Sequence, residues 1–184
     1  MANTVTNVTT GKPKTTGAIW VAPVGSTLPT DATTALDAAF KCLGYASEDG
    51  VTNANSPDTD TVKAWGGDTV LTPVNGKDDT WSFTLIEALN ADVLKFVYGS
   101  ANVSGTLSTG ITVSANSNDT DDVALVIEMV LRGGAVKRVV LPICHVTEVG
   151  EVSYTDADAV GYETTVTAQP DSAGNTHYEY ILKS

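Results

Sequence analysis

Val123-Ala-Leu-Val-Ile-Glu-Met-Val-Leu-Arg-Gly-Gly-Ala-Val-Lys-Arg-Val-Val-Leu141 is the stretch that decides the fold. Val123, Leu125, Ile127, Met129 and Leu131 fall on one face of an extended chain, because successive strand side chains take opposite sides. Gly133-Gly134 is a tight-turn signal, since glycine accepts the positive φ of a hairpin turn. Val136, Val139, Val140 and Leu141 lie on the returning strand. Both faces of this hairpin are largely apolar, unlike an antiparallel pair with one solvated side. Two arrangements fit: both faces pack inside the subunit, or one face meets a neighbour. The second arrangement makes Ile127, Glu128, Lys137 and Arg138 subunit-contact candidates.

Downstream, further strands are expected at 143–154, 162–169 and 177–182. Upstream, Trp81, Phe83 and Leu85 alternate with Ser82 and Thr84, the pattern of a half-buried strand. A short helix follows. Asn90 suits its N-cap, Asp92 the positive end of its dipole, and Gly99 its exit. Val93, Phe96 and Val97 share one helical face, with Leu94 and Tyr98 beside it; about two turns cannot stand alone and must dock on a sheet. Gly17 to Ala22 reads as a first strand, stopped by Pro23. Thr34 to Leu43 reads as a helical turn through Leu36, Ala39 and Phe40, capped by Gly44, although 42–47 reads equally as a strand.

Residues 50–80 hold few large apolar side chains and many breakers, which predicts a long loop. A hairpin of 62–65 with 69–74, turning at Gly66-Gly67, fits within it. Residues 1–16 are aperiodic and polar, an arm that is ordered only if something holds it. The expected organisation is therefore a 1–16 arm and a single domain over 17–184, mainly β, sandwich- or barrel-like, with one short flanking helix. There is no internal repeat.

The composition agrees. Thr and Val suit strands, and the Gly, Asp, Asn and Ser that accompany them suit turns. Ten basic residues against 22 acidic ones give a formal charge of −12. Such a surface repels phosphate backbones and anionic membranes. No apolar run reaches membrane-spanning length, and the polar start MANTVTNVTTGKPK has no secretory h-region. Cys42 and Cys144 are expected as buried free thiols.

Reaction chemistry has no assembled motif. Cys144 and His145 are adjacent, so a strand points them to opposite faces. The Asp58/Asp60 and Asp119/Asp121/Asp122 groups lack the glycine and distal glutamate of an EF-hand and read as solvated turn acids. Zinc spacing, a phosphate-cradling glycine loop and a Gly-x-Ser-x-Gly elbow are absent. Trp20, Trp65 and Trp81 read as core or interface anchors in preference to a carbohydrate platform. No cofactor or metal is implied, and no enzyme.

Several segments together resemble the major tail proteins of siphophages, particularly those of Gram-positive hosts. They are Ala22-Pro-Val-Gly-Ser-Thr-Leu-Pro-Thr-Asp31, Leu43-Gly-Tyr-Ala-Ser-Glu-Asp-Gly-Val51, Lys63-Ala-Trp-Gly-Gly67, and Ser82-Phe-Thr-Leu-Ile-Glu-Ala-Leu-Asn90 leading into Val97-Tyr-Gly99. The resemblance covers roughly residues 17 to 170 and lacks the C-terminal immunoglobulin-like domain of some relatives. It implies a virion protein, assembled in the host cytoplasm, whose subunits form six-membered rings. The rings stack into a hollow tube, and strands of neighbouring subunits join into an inner β-barrel. DNA passes through the lumen without specific binding. The partners implied are further copies of the chain and the tape-measure, terminator and distal tail proteins, with no membrane. In that setting the 50–80 loop offers Trp65, Asp58, Asp60 and Lys63 as inter-ring contact candidates. The competing readings are a capsid decoration protein or another β-sandwich surface module, and a glycan hydrolase, for which no paired carboxylates are marked.

Overall fold

The structure is a computed structural model and describes residues 3–183. The ends of the expected arm, residues 1–2, and of the expected domain, residue 184, lie outside the described residues. In chain order the strands are β1 Gly11–Pro13, β2 Ile19–Pro23, β3 Lys41–Cys42, β4 Ala46–Thr59, β5 Val62–Lys63, β6 Thr69–Leu71 and β7 Val74–Leu85. Helix α1, Ala91–Tyr98, is followed by β8 Val103–Thr106, β9 Gly110–Val113, β10 Val123–Leu131, β11 Val136–Val149, β12 Tyr162–Gln169 and β13 Tyr178–Leu182. The protein is mainly β with this one α-helix.

The main sheet is antiparallel and follows the path β3-β2-β10-β11-β12-β7-β4, with β1 on β10 and β13 on β11. The path does not close into a barrel. The β10–β11 hairpin is its centre, in one register from Val130↔Val136 to Leu125↔Leu141 and shifted by one residue before Val123↔Cys144. Gly133 and Gly134 both turn at φ 83°, a conformation that side chains with a Cβ resist. Strand β11 is shared lengthwise: Val136 to Val140 pair with β13, and Ile143 to Val149 pair with β12. Pro142, which has no N–H to donate, sits where one partner gives way to the other. The segment 143–149 is thus the second half of one strand, which ends at Val149, short of the expected 154.

Both faces of the hairpin pack inside the subunit. Leu125, Ile127, Val139 and Leu141 join Trp81, Phe83, Leu85 and the helix residues Val93, Leu94, Phe96 and Val97 in the larger core. Phe83 and Phe96 stack with centroids 6.1 Å apart. Asn90 caps α1 by accepting from the Asp92 N–H at 3.0 Å, and Gly99 leaves the helix at φ 91°. On the other face Ala124, Val126 and Val140 pack with Ala22 and Phe40, flanked by Leu28, Leu36, Tyr178 and Tyr180.

Two expectations give way. Residues 34–43 form no helix. Asp31 accepts from the Thr33 and Thr34 N–H groups at 2.7 and 2.6 Å, and Asp37 from Ala39 at 2.9 Å. These local bonds compete with helical ones, and Phe40 is buried on the sheet while β3 forms beyond it. The 50–80 stretch is no loop. It is a long β4–β7 ribbon tipped by β5 and β6, and alternation does not reveal it because most of its length has solvent on both faces. The N-terminal segment is held: β1 pairs with β10, and Thr9 Oγ1 accepts from the Arg132 N–H at 2.8 Å.

Candidate functional site

The ribbon is the largest feature that the core does not need. Its root is fixed, because Trp81, Phe83 and Leu85 on β7 are buried in the core. Beyond Asn55↔Asp79 the paired strands run outward to Thr59↔Val74 with little burial on either face. The tip turns at Gly66 (φ 117°) and Gly67 (φ 101°), closed by the bond from the Ala64 N–H to the Asp68 carbonyl at 2.8 Å. Val62, Trp65, Val70, Leu71 and Val74 are all exposed here, and Trp65 is wholly in solvent at 107% relative accessibility. The structure places the sequence candidates Asp58, Asp60, Lys63 and Trp65 together on this outer half. Asp60 is tied across the ribbon, accepting from Asn75 Nδ2 at 2.9 Å.

Sequence reasoning missed the side chain that anchors the root. Asp79 is buried and accepts from Asn53 Nδ2 (2.8 Å), Trp81 Nε1 (3.0 Å), Thr176 Oγ1 (2.6 Å) and His177 Nδ1. It joins β4 and β7 to the chain entering β13. Burial alone would raise this carboxyl; the hydrogen bonds from Thr176, His177 and Asn53 outweigh it and hold Asp79 below the ordinary carboxylate value. The signal was available, because the alternation that turns Trp81, Phe83 and Leu85 inward turns Asp79 inward as well.

Three of the four subunit-contact candidates on the hairpin are corrected. Ile127, Glu128 and Arg138 are buried within this chain and present no surface to a neighbour. Glu128 and Arg138 are cross-strand partners; Arg138 Nε donates to Glu128 Oε1 at 3.1 Å and Nη1 to the Asp31 carbonyl at 2.8 Å. Lys14 Nζ adds a third contact to Glu128 at 3.0 Å. Lys137 remains partly exposed but is engaged by Glu179 at 2.6 Å. The doubly apolar hairpin reflects two internal cores, and its charges clamp the N-terminal segment and the 31–40 stretch onto the sheet.

His145 stands between Asp122 (3.0 Å) and Asp119 (2.9 Å), on the opposite side of β11 from Cys144. Among the described residues no group of three or more His, Cys, Asp or Glu could hold a metal ion. Cys42 and Cys144 are free; Cys42 is only half-buried, and burial pushes the Cys144 thiol up to about 12. Sheet edges are also open, among the described residues at β3 and β4, which end the path, and at β1 and β13. Within the piece β1–β10–β11–β13, the outer sides of β1 and β13 pair with nothing among the described residues.

A rooted core, an apolar-tipped ribbon and open edges define a mainly β protein built on one large antiparallel sheet. The family model described as "Phage tail tube protein" matches residues 5–184, and the chain belongs to that family, a structural component of the phage tail. No curated protein matches the sequence. Among solved structures, the chain is similar to the cryo-EM structure of the anti-feeding prophage cap, described as an AFP tube terminating cap. Identity is 10% and TM-score 0.46, covering 99% of this chain and 100% of that one.

Proposed function

We propose that the chain assembles into rings, six-membered as in the siphophage major tail proteins it resembles, and that the rings stack into the tube through which DNA leaves the virion. The observation that carries this reading is the ribbon. A two-stranded ribbon with both faces wet is marginal alone, and this one exposes Val62, Trp65, Val70, Leu71 and Val74. An exposed apolar cluster of that kind gains by burial against another molecule. Trp65, with Asp58, Asp60 and Lys63 around it, is the inter-ring contact. The free sides of β1 and β13 are the edges at which neighbouring subunits join strands, a use of edges that a soluble monomer avoids. The Gram-positive siphophage type, assembly in the host cytoplasm and contact with tape-measure, terminator and distal tail proteins belong to the same reading. The tail-tube family match favours it over a capsid decoration module.

The test is negative-stain microscopy of the purified chain beside a variant in which residues 57–77 are replaced by a two-residue turn. Matched lengths of both strands are removed, and Asp79 keeps its anchors. The expected outcome is hollow tubes from the parent, and folded subunits or single rings from the variant. Tubes of parental length from the variant would remove the ribbon from the assembly mechanism, and a parent that stays monomeric at high concentration would return the decoration reading.

A further inference from the structure

The ten basic residues are unevenly placed. Lys12, Lys14, Arg132, Lys137, Arg138 and Lys183 all lie at the turn end of the β10–β11 hairpin, on β1, or directly after β1 and β13. From Val139 to Leu182 the chain has no Lys or Arg. Glu148, Glu151, Asp156 and Asp158 crowd the opposite end of β11 and the turn that follows it. Strand β11 spans 14 residues between these ends, about 45 Å at the usual rise. The free charges are therefore biased to opposite ends along the strand direction, although Lys41 and Lys95 line a pocket beside Val123 and Val146, away from the turn end.

At the basic end, Lys14 and Arg138 are engaged by Glu128, and Lys137 by Glu179. Lys12 and Arg132 are exposed and have no ion-pair partner among the described residues. They line one cavity of about 330 Å³ together with Thr10, Val130 and Leu131. The backbone around it is fixed by the pairs Gly11↔Leu131 and Lys12↔Val130 and by the Thr9–Arg132 hydrogen bond. A guanidinium fork with a second cation beside it is suited to a carboxylate. At the acidic end Glu148, Glu151, Asp156 and Asp158 are exposed and likewise have no ion-pair partner among the described residues.

We propose that the Lys12–Arg132 cavity receives a carboxylate from the 148–158 segment of a second copy, so that subunits of successive layers meet basic end to acidic end. The inference rests on the stacked-ring reading and names a contact within it that the ribbon does not supply. A contact between unlike ends is heterologous and propagates without closing, which gives the stack a direction. A protein partner is favoured over a nucleic acid because the surface around the cavity belongs to a chain of net charge −12, which a duplex must approach and a second copy's acidic end need not.

Three proteins decide it: the parent, K12E/R132E, and E151K/D156K. All four positions are exposed, so folding is spared. Tube length and pelleted fraction are read by microscopy and sedimentation from about 0.05 to about 0.5 M NaCl. The parent's tubes should shorten as salt rises. Each variant alone should pellet about tenfold less. Because Lys12 lies on β1, whose free side is proposed to join a neighbour within the ring, R132E alone, off that strand, is added. It should show the same direction of loss with its rings intact, as expected when rim charges set association and its salt dependence. Mixing the two double variants should restore tubes, since every junction then pairs opposite charges. Parental tubes from K12E/R132E overturn this inference and leave the stacked-ring reading standing; a parent that makes no rings or tubes removes that reading itself. Binding of a short DNA duplex that K12E/R132E abolishes, with tubes unaffected, assigns the cavity to phosphate and also overturns the proposal.

Discussion

Arg138 is the bulkiest side chain the fold buries outright, and it is charged. Its cost is offset by Glu128, by the Asp31 carbonyl and by the Asp31 carboxylate at 4.0 Å, so that two carboxylates face the two cations Arg138 and Lys14. Removing one partner of such a pair costs about 3–5 kcal/mol, while replacing both by apolar groups of similar size is often neutral. Glu128→Leu should therefore lose that amount in urea unfolding, and the double variant E128L/R138M should recover most of it. A double variant as unstable as the single would show that the site depends on something other than the pair. Asp79 makes a pH-dependent prediction. Its carboxyl is depressed in the folded state, so it contributes stability above the unfolded value of about 3.9. That stability is lost as pH falls through the native value. Asp79→Asn should be less stable at neutral pH by about 1–3 kcal/mol, and its stability should fall less steeply on acidification than the parent's. Parallel acid limbs for the two proteins would count against Asp79 as the titrating anchor.

Elements show where the sequence was legible. The β10–β11 hairpin, the Trp81–Leu85 alternation and the capped helix were readable because each has one regular period and a recognisable stop. Ile127 carries the clearest consequence: at 1% exposure, opposite Val139 and Ile19, it should cost about 2–5 kcal/mol when cut to alanine. A change below about 1 kcal/mol would contradict its place in the larger core. The ribbon was illegible for the opposite reason. Ser56, Pro57 and Asp58 pair in a ladder with Asp78, Lys77 and Gly76, yet no buried face imposes a period on them. The 34–43 stretch had helical spacing, but Asp31 and Asp37 satisfied its backbone locally and Phe40 found the sheet. The candidate contacts divided along the same line. Trp65 and its neighbours stand out in solvent as a tip, whereas Ile127, Glu128 and Arg138 looked available only because the second core, built by residues 22–40, could not be seen in the hairpin's own pattern.

For the whole molecule, charge matters most to the proposed role as a conduit for DNA. Each chain brings a formal −12, and the proposed ring would multiply it. Of the ten cations, Lys14, Lys137 and Arg138 are already held by Glu128 and Glu179. A duplex carries about one negative charge per 1.7 Å of axis, and a basic wall would hold it by releasing counterions. A net-negative or hydroxyl-lined wall leaves it hydrated and free to slide. Hydroxyl rows are available: Ser82 bonds Thr165 at 2.8 Å and Thr147 bonds Thr167 at 3.1 Å, across β7, β12 and β11. The acids can then face the lumen, or lie outside it over a neutral wall, and either arrangement predicts the same measurement. Assembled tubes should show no binding of duplex DNA at about 0.15 M salt, and no steep dependence of affinity on salt as it is lowered. Tight binding whose logarithm falls by several units per decade of salt would mean a lumen lined by Lys and Arg. That result would refute the sliding mechanism and leave membership of the tail-tube family untouched, because the family rests on the sequence match and the mechanism on where 22 acids and ten bases come to lie.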